Sequence, residues 1–360
     1  MYGYSEKLVI YLKVMIDNLR INSLRGISQC HIDDIGRVNL FLGRNNCGKS
    51  TILESIFLLS GGIDPSNYIK INNLRNYRMM QSGEDFTFNI YGLQKETPIA
   101  ISALNEGKLR KLTILYRETR NKSINIGDNN ARPAIDYEIL FHLENEGMPD
   151  VDTSIKVSSA NPNKGKAAIA EAPMLHIPAF FISPSEPYEN VESYFATIVE
   201  NKREEYVKRV INAIDPNIKD IVFAGNRIMA DIGFEKRIPI QLMGDGLKKV
   251  LSVVVNMAMV PNGILLIDEV DNGLHYSSMP ILWKAIVESA KMYNVQVFAT
   301  THNVESLRAL NEILESDAYK NLQSDFRSYT IRREENGEHK VIKAEYPQFN
   351  HIINQDLELR

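Results

Sequence analysis

The densest chemistry in the chain lies in Gly43-Arg44-Asn45-Asn46-Cys47-Gly48-Lys49-Ser50. Glycines at the first and sixth positions let a backbone wrap a phosphate with its amide hydrogens pointing inward. Lys49 supplies a positive charge for β- and γ-phosphates, and the Ser50 hydroxyl can ligate Mg2+. With Thr51, these residues form a candidate nucleotide cradle. A second group is Ile264-Leu265-Leu266-Ile267-Asp268-Glu269. Four apolar residues ending in an acid place Asp268 at the carboxyl edge of a strand, where open α/β sheets bind ligands. Asp268 would hold Mg2+ through water, and Glu269 would polarise the attacking water. Thr300-Thr301-His302 ends a further apolar run, where a sensor of the terminal phosphate would sit, although a lone histidine is more often structural. Met243-Gly244-Asp245-Gly246-Leu247-Lys248-Lys249 is a small-residue turn opening a helix. Its backbone amides at Gly244, Asp245 and Gly246 can take an anion, and a plain Asp-capped helix is the rival reading.

These residues need a parallel sheet to hold them. Val38–Leu42 is an apolar run ending in glycine, as a buried strand should be, and Ile52, Leu53, Ile56, Phe57 and Leu59 recur at helical spacing after it. Asp245–Val260 and Met279–Tyr293 read as helices. AFFISP (179–184), ILLID (264–268) and VQVFAT (295–300) read as strands. Apolar strands alternating with helices give an α/β sheet. Between about Asp85 and Leu143 the pattern alternates (FTFNIYGL, LRKLTILYRET, DYEILFHL), which predicts antiparallel strands with half-exposed faces. Residues 144–172 are polar and read as a mobile loop or hairpin tip; helices follow over Val191–Arg209 and Arg209–Ile214. The expected division is an N-terminal lobe over 14–84, a β-rich arm over 85–183, a short helical insertion over 184–239 and a C-terminal lobe over 240–360.

Composition agrees with a globular chain. Its 360 residues are 44% hydrophobic and 24% charged, enough to bury a core without disulfides or a structural metal. A net charge of −4 argues against a surface made mainly to coat nucleic acid. Two cysteines, Cys30 and Cys47, exclude a disulfide framework and favour a reducing cytoplasm. The apolar run Leu8–Ile16 is short and broken by Lys13, so neither signal peptide nor membrane anchor is expected. Cys47 lies inside the glycine loop, so its alkylation should block nucleotide binding and ATP should protect it.

The motifs in this order resemble the ABC-type P-loop ATPases that include the structural-maintenance-of-chromosomes and OLD groups, and stand-alone prokaryotic ATP-binding proteins classed as AAA-type. The likeness rests on LRINSLRGISQCHIDDIGRVNLFLGRNNCGKSTILESIFLL and IDEVDNGLHYSSM, over residues 14–62 and 240–310. It implies an ABC-type P-loop NTPase fold with ATP and Mg2+ as cofactors. Lys49 and Ser50 would bind nucleotide and metal, Asp268 would support the metal, Glu269 would be the base and His302 the switch. Asp271 falls at the D-loop aspartate, and Gln81 is a Q-loop candidate by spacing. Residues 243–248 fill the signature slot, which in such families reaches the other subunit's γ-phosphate. Composite sites in a head-to-tail homodimer, or a higher oligomer, are therefore implied. The chain departs from the pattern at Gly244, where serine is usual, and at Asp245, where glycine is common.

Fifty-eight residues follow His302, without the acidic cluster of a TOPRIM nuclease, and there is no coiled-coil segment. An ATPase set without effector chemistry suggests a switch for a separate nuclease or toxin, and the resemblance points to bacterial anti-phage defence. Two alternatives are a DNA-repair or chromosome-organising clamp that binds nucleic acid directly, and an ATP-bound scaffold with little turnover.

Overall fold

A computed structural model describes residues 9–11, 15–75, 77, 83–121, 134–158, 161–168, 174–184, 188 and 190–355. After the short β1 (Val9–Tyr11), β2 (Leu19–Leu24) and β3 (Ile27–Ile32) form a hairpin turning at Gly26. Strand β4 (Val38–Leu42) leads through the glycine loop into α1 (Lys49–Gly61) and then α2 (Pro65–Asn73). The arm contains β5 (Ile99–Asn105), β6 (Lys108–Asn121), β7 (Ala134–Asn145), β8 (Val151–Ser158), β9 (Asn161–Ala168) and β10 (Met174–His176). Next come β11 (Ala179–Ile182), α3 (Val191–Glu200), α4 (Glu205–Ile214), β12 (Asp220–Ala224), β13 (Arg227–Asp231) and β14 (Ile238–Pro239). The chain continues with α5 (Asp245–Met259), β15 (Ile264–Ile267), α6 (Met279–Met292), β16 (Gln296–Thr300) and α7 (Val304–Glu315). It closes with β17 (Phe326–Arg333), β18 (Glu338–Glu345) and α8 (Tyr346–Asn354). No described helix is long and apolar enough to cross a membrane.

The chain folds as a mixed α/β protein in two compact units. The first unit comprises Met1–Ile35, Asn45–Ile177 and Ile331–Val341. Here β5 to β9 run as an antiparallel meander, β2 joins β5 to β3, and β18 lies parallel to β3 with His339 opposite Cys30. Alternation in β7 buries Tyr137, Ile139, Phe141 and Leu143 on one face. Tyr68 of α2 meets Phe141 edge-on at 5.7 Å between ring centroids.

Two expectations for this unit change. The stretch from Asp85 to Leu93, expected to begin the arm as strand, lies instead in 3₁₀ turns that start at Gly83. Phe86 and Thr87 are both buried, which a half-exposed strand does not allow, and the Phe86 carbonyl accepts the Tyr68 hydroxyl at 3.0 Å. Residues 144–172, expected as a mobile loop or hairpin tip, carry the antiparallel pair β8 and β9; the alternation Val151, Thr153, Ile155, Val157 supplies a buried face that polar composition concealed.

The second unit comprises Gly36–Arg44, Pro178–Thr330 and Ile342–Arg360. Its strands lie in the order β11-β15-β16-β4-β17, all parallel. Strands β4, β15 and β16 are buried at every position, as parallel strands covered on both faces must be. Asn39 is the polar exception in β4. Its amide donates to the Gly36 and Val297 carbonyls, at 2.8 and 3.1 Å, so burial leaves it satisfied. Helices α5 and α6 press Val250, Leu251, Val254, Leu282 and Trp283 into the core.

The helix expected over Val191–Arg209 breaks into α3 and α4 at Asn201–Glu204, where Lys202 takes a positive φ of 55°. The stretch 220–239 forms a three-stranded antiparallel sheet that the helical reading of 184–239 did not contain. Its hairpin turns at Gly225 and Asn226, both with positive φ, the geometry that matches the twist of paired strands.

Candidate active site

Two sets of candidate residues lie on different units, joined by one continuous loop. In the first unit the cradle residues Asn45 to Thr51 run into α1. Asn46 and Gly48 both adopt positive φ, at 63° and 94°, and no side chain caps the helix at Gly48. Alternating backbone of this kind turns successive amides toward one point, a nest suited to an anion. Gly48 has a second reason to lack a side chain. A Cβ there would stand 2.9 Å from Nε2 of His339. Lys49 and Ser50 are half-buried at the first turn, whereas Thr51 to Gly61 are buried throughout.

Two members of the predicted set turn inward. The Thr51 hydroxyl accepts from Arg75 at 3.3 Å, and the Cys47 side chain is only 5% exposed. These residues therefore offer the loop their backbone more than their side chains.

Farther along α1, Glu54 is 2% exposed and pairs with Arg25 at 3.3 Å and Arg75 at 2.6 Å. Burial lowers the Arg25 pKa, and Glu54 opposes that shift. At the far end of the helix, buried Arg110 donates to the Leu59, Ser60 and Leu175 carbonyls and to Asn145. Burial pushes its pKa down to about 10. A cation on the last carbonyls of a helix satisfies groups that have no partner within the helix.

In the second unit, Gly43, Asp268 and Thr300 all lie at the carboxyl ends of the neighbouring strands β4, β15 and β16. The Thr300 hydroxyl donates to Asp268 Oδ1 at 2.7 Å and accepts the Glu269 amide at 2.8 Å. One hydroxyl thus fixes both members of the acid pair. Glu269 has a φ of 49°, an uncommon conformation for a residue with a side chain and one that gathers at functional sites. Thr301 repeats the arrangement one residue on, donating to Asp271 and accepting the Asn303 amide. Asn303 caps α7 through the Glu305 amide at 2.9 Å, and His302 stands exposed just before that cap. Arg44 is exposed beside Gly43.

The signature-like turn also belongs to this unit. Gly244 is the extended residue before α5, and no side chain caps the helix. The Asp-capped alternative is therefore not what forms: Asp245 is already helical and pairs with Lys248 at 2.6 Å. Gly246 is half-buried, and a Cβ there would meet Leu274 at 3.3 Å. One turn on, Lys249 is 4% exposed. Burial pushes its pKa down to about 8 while Asp271, Asp268 and Glu269 pull it back up. Sequence reasoning missed Lys249, along with Arg25, Glu54 and Arg75. The available signal was a charge on an otherwise apolar helix face, Lys249 beside Val250 and Glu54 within ILESIFLL. The Q-loop candidate Gln81 lies outside the described residues.

Residues 38–308 match the family model described as "AAA domain, putative AbiEii toxin, Type IV TA system". The chain belongs to this AAA-domain family. It is an ATP hydrolase of the P-loop type, and the matched span contains the cradle, the acid pair and His302. A Helicobacter pylori protein named "ATP/GTP phosphatase" is 26% identical over 339 residues, covering 83% of this chain and 88% of that protein. An uncharacterised Methanocaldococcus jannaschii protein is 40% identical over 70 residues, which is 19% of this chain and 61% of its own length. Among solved structures, the SMC head domain from Thermotoga maritima covers 92% of the chain and 99% of its own, at 12% identity and a TM-score of 0.43. That superposition is too loose to bear on function.

Proposed function

We propose that this AAA-domain ATPase is an ATP-gated switch for a separate effector, working in the cytoplasm as a head-to-tail dimer in bacterial anti-phage defence. The observation that carries the reading is the acid pair: Thr300 holds Asp268 and the Glu269 amide at the carboxyl edge of a parallel sheet. The uncapped nest at Asn46–Lys49 fits a polyphosphate, and the hydroxyl and carboxylate of Ser50 and Asp268 are the hard oxygen donors Mg2+ prefers. Bound Mg2+ would neutralise charge between β- and γ-phosphates.

Lys49 and the amides of Gly43 to Thr51 bind the phosphates in this reading. Glu269 accepts a proton from the attacking water. Exposed His302 senses the terminal phosphate. The uncapped start of α5, at Gly244, Asp245 and Gly246, serves the partner subunit's nucleotide through backbone amides, which the missing signature serine makes necessary.

The test is to express a tagged Glu269→Gln variant in its native host with its neighbouring genes and to identify what co-purifies with Mg-ATP. A nuclease- or toxin-like protein in stable stoichiometry supports the switch. Recovery of a bare dimer, or of a dimer carrying only DNA, overturns it in favour of a clamp acting on DNA.

A further inference from the structure

The candidate nucleotide loop has a neighbour that none of its motifs includes. His339 lies on β18, about 290 positions after Cys47 in sequence, yet it belongs to the same compact unit as Asn45 to Thr51. It is 7% exposed, and the register of β18 on β3 sets it opposite Cys30. Its Nδ1 lies 3.1 Å from the Gly337 carbonyl. The other ring nitrogen faces the loop: Nε2 stands 2.9 Å from where a Cβ on residue 48 would be, and the ring hydrogen-bonds the Cys47 backbone.

We infer that His339 is a positioning residue for the nucleotide loop, with its imidazole filling the space left by Gly48 and its Nε2 side holding the Cys47 backbone in the phosphate-ready shape. Both contacts fall within Asn46–Gly48, where two residues with positive φ must be kept in an uncommon conformation. Such a conformation persists only when its surroundings over-determine it. Helix α1 fixes the loop from one side. On the other side, His339 supplies a hydrogen bond and a steric stop from a strand that the β3 pairing makes rigid. Any side chain at position 48 would lose both the positive φ and the room for the imidazole.

Groups around the ring are few. The Gly337 carbonyl also accepts the Ser28 amide at 3.1 Å, so it keeps a donor whatever the ring does. Burial and Arg333 hold the imidazole below its ordinary pKa, while the Gly337 and Cys47 backbone contacts oppose them. A neutral imidazole carries one N–H, and placing it on the loop side serves Cys47 while Gly337 stays satisfied by Ser28.

The inference rests on residues 43–51 being the phosphate cradle, so its test includes a readout that needs no nucleotide. The two thiols provide one. Cys47 is in the loop, and Cys30 lies on β3 opposite His339, with burial pushing its thiol up to about 12. Labelling both with a maleimide, without ATP, gives a ratio of loop opening to general unfolding. Replacing His339 by Leu keeps the bulk and removes the donor, while His339→Gln restores a donor at the Nε2 position. In the Leu variant the Cys47-to-Cys30 labelling ratio should rise by roughly fivefold, the worth of one lost hydrogen bond, and the Gln variant should return most of it. In turnover assays, KM for ATP should rise by a similar factor, roughly fivefold, with kcat nearly unchanged, because the acid pair is untouched. An unchanged ratio, or equal increases at both thiols, overturns the inference. A changed ratio in a protein that fails to bind ATP would leave His339 holding the loop and would instead overturn the cradle reading.

Discussion

The P-loop helix and the acid-pair edge handle charge in opposite ways. Along α1, the buried charge is paired: Glu54 lies between half-buried Arg25 and exposed Arg75, and Arg110 is spent on backbone carbonyls. At the edge formed by β15 and β16, carboxylates are held by neutral hydroxyls, with a single buried lysine nearby. Salt-bridged carboxylates would be poor ligands and poor bases, because their lone pairs are committed. A threonine hydroxyl orients Asp268 while occupying one oxygen. Charge in the first unit thus secures the helix that carries the loop. Charge in the second is arranged for use.

The largest test of that contrast is to separate turnover from stability at Glu269. Glu269→Gln should lower ATP turnover by about 10²–10⁴-fold and leave the melting temperature within a degree or so, because glutamine keeps the size and shape of the half-buried side chain. A matching fall in melting temperature would place Glu269 among the structural charges. The counterpart is Glu54→Leu, which takes the carboxylate from half-buried Arg25 and should cost about 1.5–3 kcal/mol in urea unfolding. Adding Arg25→Met should recover much of that loss, since the penalty is chiefly a half-buried cation that has lost its carboxylate. A double variant as unstable as the single would show that packing, not charge, holds α1.

The acid-pair edge was more legible in the sequence than the clamps around α1. Val38–Leu42, ILLI and the run ending at Thr300 announce buried parallel strands because burial on both faces removes any alternation. The residue after each such strand is then at the ligand edge. The clamps are long-range: Arg110 meets Leu59 across 51 positions, and His339 meets Cys47 through pairing of β18 with β3. No local period encodes such contacts. The 3₁₀ turns over 83–93 were hidden for a related reason, because consecutive buried residues there depend on α2 and β7 rather than on their own spacing.

A smaller effect should come from the hydroxyl that joins the two acids. Thr300→Val removes one donor from Asp268 and one acceptor from the Glu269 amide, and should reduce turnover roughly tenfold. Thr300→Ser should restore it. If valine and serine behave alike, the hydroxyl does not orient the acid pair, and the contrast between the two regions loses its main support.

The smallest expected effect concerns pH and sits beside the Arg110 clamp. Burial lowers the pKa of His176, Arg110 lowers it further, and Asp64 partly opposes them. Its folded pKa is therefore below the unfolded value of about 6.5, and between the two values the unfolded chain binds more protons. Stability from this group is complete above the ordinary imidazole range and is lost as pH falls through it toward the folded pKa. His339 shifts the same way, so these two imidazoles push the first unit's acid limb in one direction. Melting wild type and His176→Gln at about pH 7.5 and about pH 5.5 isolates one contribution, and the variant should lose fewer degrees on acidification. Equal losses would mean that acid sensitivity does not report burial beside the clamp. The difference between the two regions would then rest on their ion pairs alone.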